Sequence, residues 1–140
     1  MSVIAIRTKL LTKLNEMQSL RAAWDWEISN TDGKYPYATL TLRDGEANFA
    51  STAHNLRRRG FSIKLYQERQ KDVGQTPEQA EDIMTAVIDE LETALDMDTT
   101  LSGVCKWVRP VGWRADYVVK DTSIRLLEID VDAFDIISST

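Results

Sequence analysis

The side chains best suited to nucleophilic chemistry are His54 and Cys105, each the only residue of its type in the 140-residue chain. A histidine beside Ser51 or Ser62 would supply a general base for a serine nucleophile. However, the sequence has no Gly-x-Ser-x-Gly elbow and no second titratable partner at a defined spacing. Cys105 lies in an alternating apolar pattern, which favours a buried thiol over a reactive one. We therefore expect no catalytic residue and no enzymatic activity.

The densest group of carboxylates is formed by Glu128, Asp130, Asp132 and Asp135. Clustered carboxylates bind hard cations such as Ca²⁺ or Mg²⁺. Strand periodicity offers a simpler explanation, because the first three alternate with apolar residues and so fall on the wet side of a strand. The glycine and the ligand spacing of a calcium-binding loop are both missing. We expect no metal and no cofactor.

Three consecutive arginines, Arg57, Arg58 and Arg59, form the one dense basic cluster of the sequence. They could neutralise phosphate or carboxylate, but three arginines are too few for strong DNA affinity. One hypothesis sets them opposite an acidic strip, such as Asp130 and Asp132, of a neighbouring copy in a head-to-tail ring. An exposed, arginine-rich edge that keeps strands from aggregating explains them equally well.

Tryptophan is the other candidate for an interface. The chain has four tryptophans, and a sheet core could account for two of them. Trp113 follows Gly112 in an expected turn, where burial is difficult. Since tryptophan is favoured at the centres of binding patches, we predict that Trp113 joins the three arginines in an oligomer interface.

Composition sets the class of protein. With 43% hydrophobic and 28% charged residues, the chain is long enough for one folded domain, residues 1–140, and is unlike a disordered protein. The formal net charge of −5 disfavours nucleic-acid binding by the molecule as a whole. No segment resembles a signal peptide or a membrane span, so we expect a soluble protein that starts in the cytoplasm.

Apolar periodicity predicts two helices, Ser2–Leu20 and a second that starts at Thr76-Pro77 and ends between Asp96 and Thr100. Alternation with period two predicts six strands, in Trp24–Ser29, Ala38–Arg43, Phe61–Tyr66, Val104–Arg109, Trp113–Val119 and Ile124–Val131. We also expect turns at Asp44-Gly45 and Pro110-Val111-Gly112, an exposed loop over residues 46 to 55, and a β-bulge at Leu126 or Leu127. These elements predict an α+β fold: a mostly antiparallel β-sheet with two main helices packed on one face.

Several segments, taken in order, share the pattern of a known family. They are Asn55–Glu68 with its leading arginines, the helix from Thr76 to Leu95, and the closing Trp113–Val131 hairpin. Together with a tyrosine-proline loop in Lys34–Ala38, they resemble the small tail terminator, or tail-completion, proteins of long-tailed bacteriophages. The likeness covers nearly the whole chain.

The resemblance implies a structural virion protein that forms a hexameric ring on the head-proximal end of the tail tube. The ring would end tube polymerisation and offer a docking surface to the neck. Its partners would be further copies, the tail tube protein and the head-neck connector proteins, with assembly in the host cytoplasm and no membrane. DNA would pass without specific binding through an acidic channel, which we expect Glu128, Asp130 and Asp132 to line. The loop of residues 44 to 55 would contact tube or neck.

Two other functions remain open. Within the same architecture, the chain would be a head-completion or neck connector protein. In a different class, it would be a small cytoplasmic ligand-binding domain or enzyme with a pocket between the second helix and the sheet.

Overall fold

Helices and strands follow one another in the order α, three strands, α, two strands. The computed structural model describes residues 3–20, 22–24, 36–49, 54–68, 77–118 and 121–138. The elements are α1 (Val3–Glu16), β1 (Ala22–Trp24), β2 (Tyr37–Phe49), β3 (His54–Glu68), α2 (Pro77–Met97), β4 (Trp107–Val118) and β5 (Asp121–Ser138). The expected α+β fold is confirmed, with five strands in the described part of the chain instead of six.

The strands form one sheet in the order β1-β2-β3-β5-β4. The pairs β2–β3, β3–β5 and β4–β5 are antiparallel, whereas β1 pairs parallel with β2. The β3–β5 pairing runs without a register shift from His54 opposite Ser138 to Glu68 opposite Ile124. It joins the β2–β3 and β4–β5 hairpins into a single sheet.

Both helices cover the same side of the sheet, which we call the inner face. Its centre is a row of buried side chains from β3 and β5 that lie directly opposite one another: Phe61 with Val131, Ile63 with Ile129 and Leu65 with Leu127. The helices cover this row with their own buried stripes: Ile6, Leu10 and Leu14 from α1, and Met84, Val87, Leu91 and Leu95 from α2. Each such side chain contributes roughly 1.5–3 kcal/mol when fully buried, so this layer is the main source of stability. The opposite side of the sheet is called the outer face.

β2 and β3 extend further than the sequence pattern predicts. We expected a turn at Asp44-Gly45 and a loop over residues 46 to 55, but β2 continues to Phe49 and β3 begins at His54. The strand passes this point through a register shift between Leu42 and Asp44. The weak strand propensity of Asp, Gly and Asn is overridden because β3 offers a continuous backbone partner.

β4 is a single strand where the sequence predicts two strands and a turn. It passes through Pro110-Val111-Gly112 with a register shift against β5. The strand lies at the edge of the sheet, where a proline and an extra residue are tolerated because no further strand needs the missing N–H group.

The predicted bulge at Leu126 or Leu127 is wrong. β5 pairs with β3 without interruption there, and the two leucines simply occupy opposite faces. Leu127 belongs to the buried row, whereas Leu126 lies opposite Tyr66 on the outer face. The change of phase in the sequence therefore reflects apolar contacts on both sides of the sheet.

The boundaries of α2 follow the sequence signals at both ends, whereas α1 is shorter than predicted. α2 begins with Pro77 and ends at Met97, within the predicted limits, whereas α1 ends at Glu16, four residues before the predicted end. The predicted cap Thr76, the strand residues 25–29 and the turn residues 30–35 lie outside the described residues.

The connection from α2 to β4 replaces the start of a predicted strand. Leu101 and Ser102 have φ angles of 48° and 59°, and Gly103 follows at 92°. Asp98 stabilises this turn: its carboxylate accepts a hydrogen bond from the Ser102 N–H (2.9 Å) and forms an ion pair with Lys13 (2.9 Å). Left-handed backbone costs roughly 1–2 kcal/mol at a non-glycine residue, and the fully buried side chain of Leu101 offsets this cost.

Replacing Gly103 by alanine should lower the free energy of unfolding by about 1 kcal/mol, because the backbone there disfavours a side chain although space is open. Gly112→Ala is the matched control, since a Cβ there also meets nothing within 4 Å and its φ is not in the left-handed region. Urea denaturation measures both variants. Equal stability of the two would contradict a backbone requirement at Gly103.

Candidate functional site

The outer face carries a group of charged side chains from three neighbouring strands. Arg43 and Asp44 come from β2, Arg58 from β3, and Asp130 and Asp132 from β5; we call these five residues the ionic cluster. The register shift in β2 places it here, because the extra residue allows Arg43 and Asp44 to reach the same face although they are adjacent in sequence.

The two arginines of the ionic cluster bridge β2 and β5 across β3. Arg43 Nη2 donates to Asp132 Oδ1 at 2.5 Å, its Nε donates to Asp44 Oδ1 at 3.0 Å, and its Nη1 lies 3.2 Å from Asp130 Oδ1. Arg58 Nη1 donates to Asp44 Oδ1 at 3.1 Å and to Asp132 Oδ1 at 3.3 Å. Asp132 is consequently only 6% exposed. Such charge-assisted hydrogen bonds are stronger than neutral ones.

Gly60 provides the floor of the ionic cluster. It lies between Asp44 and Asp132, its partners on the two neighbouring strands. A Cβ at this position would overlap the Asp44 carboxylate and the Arg43 guanidinium. The cluster therefore needs a residue without a side chain beneath it.

The pKa values reflect these contacts. Hydrogen bonds from Arg58 and Arg43 lower the pKa of Asp44 below its usual value. Burial alone would lower the pKa of Arg43, but its bonds to Asp132, Asp44 and Asp130 outweigh burial and raise it. The bond to Asp44 likewise raises the pKa of Arg58. All of these contacts stabilise the charged forms of the side chains. The arrangement therefore favours ion pairing and does not prepare a group for proton transfer.

Charges elsewhere on the outer face are also balanced. Ser62 Oγ donates to Glu128 Oε1 (3.1 Å), and Arg114 Nη2 donates to Glu128 Oε2 (2.7 Å). Among the described side chains, five cations and five carboxylates occupy this face: Arg43, Arg58, Lys64, Arg109 and Arg114 with Asp44, Glu46, Glu128, Asp130 and Asp132. The outer face is therefore close to neutral, although the chain as a whole carries −5.

Aromatic side chains lie on either side of this charged region. At one end, Tyr37 stacks on Tyr66 with ring centroids 4.8 Å apart and meets the edge of Trp24 at 5.6 Å. At the other, Trp107 stacks on Phe134 at 4.9 Å, and the guanidinium of Arg109 lies 5.5 Å from the Phe134 ring. These contacts place apolar and cation–π interactions on a sheet face that neither helix covers.

The three predicted interface arginines do not form one strip. They lie inside β3, where successive side chains point to opposite faces. Arg58 lies on the outer face with Asp132 of the same chain, whereas Arg57 and Arg59 lie on the inner face opposite Asp135 and Ala133. Arg58 and Asp132, which the sequence-based hypothesis sets opposite each other in neighbouring copies, thus pair within one chain. The interface role of Arg57, Arg58, Arg59 and Trp113 stays a prediction.

The predicted channel residues Glu128, Asp130 and Asp132 do share the outer face. Glu128 and Asp130 are partly exposed, but Asp132, expected on the wet side, is buried because Arg43 and Arg58 cover it. Their role in a channel stays a prediction.

Trp113 lies in β4 and not in a turn, and 56% of its surface is exposed. It lies opposite Ile129, on the inner face, at the edge of the sheet. The expectation that Trp113 is difficult to bury is confirmed, but its predicted position in a turn is wrong.

The nucleophile candidates are not brought together. His54 and Ser62 occupy one extended strand eight positions apart, or roughly 26 Å at about 3.3 Å per residue. Ser51 lies outside the described residues. Cys105 is buried, and burial first, then Asp135 and Asp98, raise the pKa of its thiol to about 11. A thiol of this kind is not activated at neutral pH.

Two clefts are lined by residues other than the nucleophile candidates. A cleft of about 330 Å³ between the helices is lined by Lys13, Glu16, Met17, Gln18, Glu90 and Ala94. Another of about 310 Å³ is lined by Gly45, Glu46, Arg57, Arg58 and Arg59. Neither cleft lies between α2 and the sheet. In the described ranges, no three His, Cys, Asp or Glu side chains are grouped to hold a metal ion, and no helix is long and apolar enough to cross a membrane.

Sequence reasoning missed Arg43, Asp44 and Gly60. The pair Asp44-Gly45 carries a turn signal, and Arg43 stood only as the polar residue of an alternating strand. The signal that was available is a glycine directly after three arginines within a strand, which indicates a close approach from a neighbouring strand.

Solved structures of other proteins share this fold. A chain from the virion of a native gene transfer agent (GTA) particle matches with a TM-score of 0.61 and 14% identity, over 96% of this chain and 98% of that one. A chain from an extracellular contractile injection system, PVC sheath/tube terminator in extended state, matches with a TM-score of 0.59 and 13% identity. The match covers all of this chain, which spans 57% of the length of the other. No protein-family model matches the sequence, and no curated protein matches it. The expected resemblance to tail terminators is confirmed at the level of the fold.

Asp132→Asn should lower the free energy of unfolding by about 2 kcal/mol, because two guanidinium groups lose a charged acceptor at a buried position. The matched control is Asp89→Asn, a change at an exposed helix position, which should alter stability by no more than about 0.5 kcal/mol. Urea denaturation at neutral pH measures both. A loss at Asp132 no larger than that at Asp89 would show that the ionic cluster does not stabilise the fold.

Acid should weaken the ionic cluster. Because the pKa of Asp44 is lower in the folded than in the unfolded chain, its stabilisation is complete above about pH 4 and is lost as the pH falls further. Arg58→Gln removes the main cause of this shift and should flatten the dependence of stability on pH in that range. Lys9→Gln, an exposed change on α1, should leave the slope unchanged. Identical slopes in the two variants would argue against the Arg58–Asp44 contact.

Proposed function

We propose that the chain is a structural virion protein: a tail terminator that forms a ring, with six copies as the expected number, on the head-proximal end of a phage-type tail tube. The ring ends polymerisation of the tube and offers a docking surface to neck proteins. The observation that carries the proposal is the fold shared, over nearly the whole chain, with a component of a GTA virion and with a chain of a sheath/tube terminator structure.

The chemistry of the described residues supports a structural role over a catalytic one. The nucleophile candidates are separated or buried, and the ionic cluster consists of groups held in their charged forms. Its arginines link three strands and present no reactive atom to a cleft. The extended surface of the sheet, and not a pocket, is therefore the functional part of the molecule.

The outer face is the surface that we propose to line the channel of the ring. Glu128 and Asp130 would face the channel, whereas Asp132 lies buried beneath Arg43 and Arg58. Arg43, Arg58 and Arg114 on this face each bind a carboxylate. Their charge is therefore not free to neutralise DNA phosphates, which is the main source of non-specific DNA binding. A face with self-compensated charges would let DNA pass without holding it.

A head-completion or neck connector role is the second candidate. The GTA match favours keeping it, because that chain is described only as part of a virion and corresponds to this one over almost its full length. The two roles differ in what fails when the protein is missing.

Particles assembled without the protein should carry tails of uncontrolled length, since nothing would stop tube growth. Electron microscopy of such particles measures tail length directly, with particles complemented by the wild-type chain as the control. Tails of normal length that never join heads would instead indicate the connector role. Complete, infectious particles would overturn both.

A further inference from the structure

α2 is an acidic helix. This helix contains no lysine or arginine and has no basic residue in its last turn. Asp82, Asp89 and Asp96 are all exposed and recur every seventh residue, so they lie along one side of the helix, with Glu92 partly exposed nearby. We call these four residues the acidic stripe. Of the described cations, none forms an ion pair with it.

The position of the acidic stripe is unfavourable in the isolated chain. A helix has partial negative charge at its C-terminal end, where carboxylates are destabilising. Asp96 lies in the last turn, and Glu92 and Asp89 lie about one and two turns before it. By contrast, Glu81 pairs with Arg125 (2.7 Å), and Glu90 accepts hydrogen bonds from the Gln18 and Ser19 N–H groups. Glu81 and Glu90 therefore have partners within the chain, whereas no described cation pairs with the acidic stripe.

Two arginines of β3 form the positive counterpart, although Asp135 of β5 lies directly opposite Arg57. Arg57 and Arg59 lie on the inner face near one end of β3 and border the 310 Å³ cleft. Within the described residues neither forms an ion pair, and the Nε of Arg59 is buried without a hydrogen-bond partner. Leu42, on the same face of neighbouring β2, is 64% exposed. We call Leu42, Arg57 and Arg59 the basic patch.

The basic patch and the acidic stripe lie on different elements. The patch belongs to β2 and β3, whereas the stripe belongs to α2, which contacts both β3 and the edge strand β4. β4 exposes Val111 and Trp113 at that edge. Each surface therefore has exposed apolar side chains near it, and the charges that define the two surfaces are of opposite sign. Such a pair of surfaces suits head-to-tail association, because a copy that binds through one surface leaves the other free for the next.

We propose that the basic patch of one copy binds the acidic stripe of a second copy, with Trp113 of the second copy at the border of the contact. The proposal rests on the proposed function, because it assigns the contact between neighbours in the ring. It replaces the sequence-based hypothesis that the arginines face Asp130 and Asp132 of a neighbour. Buried apolar area would supply affinity, and the opposite charges would fix orientation and exclude head-to-head pairs.

Charge reversal tests the contact by complementation. One variant, Arg57→Glu with Arg59→Glu, makes both surfaces acidic; the other, Asp89→Lys with Asp96→Lys, makes both basic. Each variant alone should associate with itself at least tenfold more weakly than the wild type, because like charges face each other. An equimolar mixture should regain association, since each surface then meets an opposite charge. Sedimentation of the purified full chain at high concentration measures the association of each variant and of the mixture. Raising the salt concentration should weaken the association of the mixture.

A matched control keeps the test specific. Lys9→Glu with Lys106→Glu changes the net charge as much as the arginine variant does, at exposed positions outside the two surfaces, and should associate as the wild type does. Circular dichroism checks that all variants are folded. Failure of the mixture to associate more strongly than its components would overturn the proposal, as would equal weakening by the control. If the charge-reversed variants still cap tubes, the proposed contact is wrong but the terminator function is not contradicted. If tails are normal in the absence of the protein, the terminator function itself is wrong.

Discussion

The uninterrupted pairing of β3 with β5 is the constraint on which the rest of the structure depends. It aligns Phe61 with Val131 and Ile63 with Ile129 on the inner face, where both helices pack, and it holds the two hairpins in one sheet. The same register brings Gly60 beside Asp132 on the outer face. A slip by one residue would exchange the faces, so that the core and the ionic cluster would be lost together. One register thus determines both the stability of the domain and the chemistry of its open surface.

The distribution of charge follows from this arrangement. On the outer face, cations and carboxylates from neighbouring strands neutralise one another, and the cluster around Arg43 and Arg58 links β2 to β5 without a covalent bond. Among the described residues, carboxylates without a paired cation lie along α2 on the helix side. Partly buried ion pairs add modestly to stability but strongly favour one geometry, because a misplaced partner leaves a charge uncompensated. The contact that we propose between copies uses the unpaired charges and not the paired ones.

This division of charge is compatible with the role in assembly that we propose. The fold shared with chains of a virion and of a sheath/tube terminator structure, an open sheet face with balanced charges, and two surfaces of opposite sign could all be used together in the proposed ring. In such a ring the balanced face would meet the passing DNA and the unbalanced surfaces would meet neighbouring copies. The absence of a prepared acid, base or nucleophile among the described residues is consistent with this use of the surface.

The sequence alone determined the class of fold, both helices and the inner-face rows, because periodicities of 3.6 and two are properties of the local chain and need no knowledge of partners. It also indicated that Trp113 is difficult to bury, and this side chain is exposed. It could not separate Arg58 from Arg57 and Arg59, show that Asp132 is buried, or assign Asp44 to a strand instead of a turn. Those features depend on which strand lies beside which, and this is set by backbone hydrogen bonds and ion pairs between residues far apart in the chain, such as Arg43 with Asp132. Only the tertiary structure decided them, because pairing partners are chosen by the packing of the whole sheet and not by any local pattern.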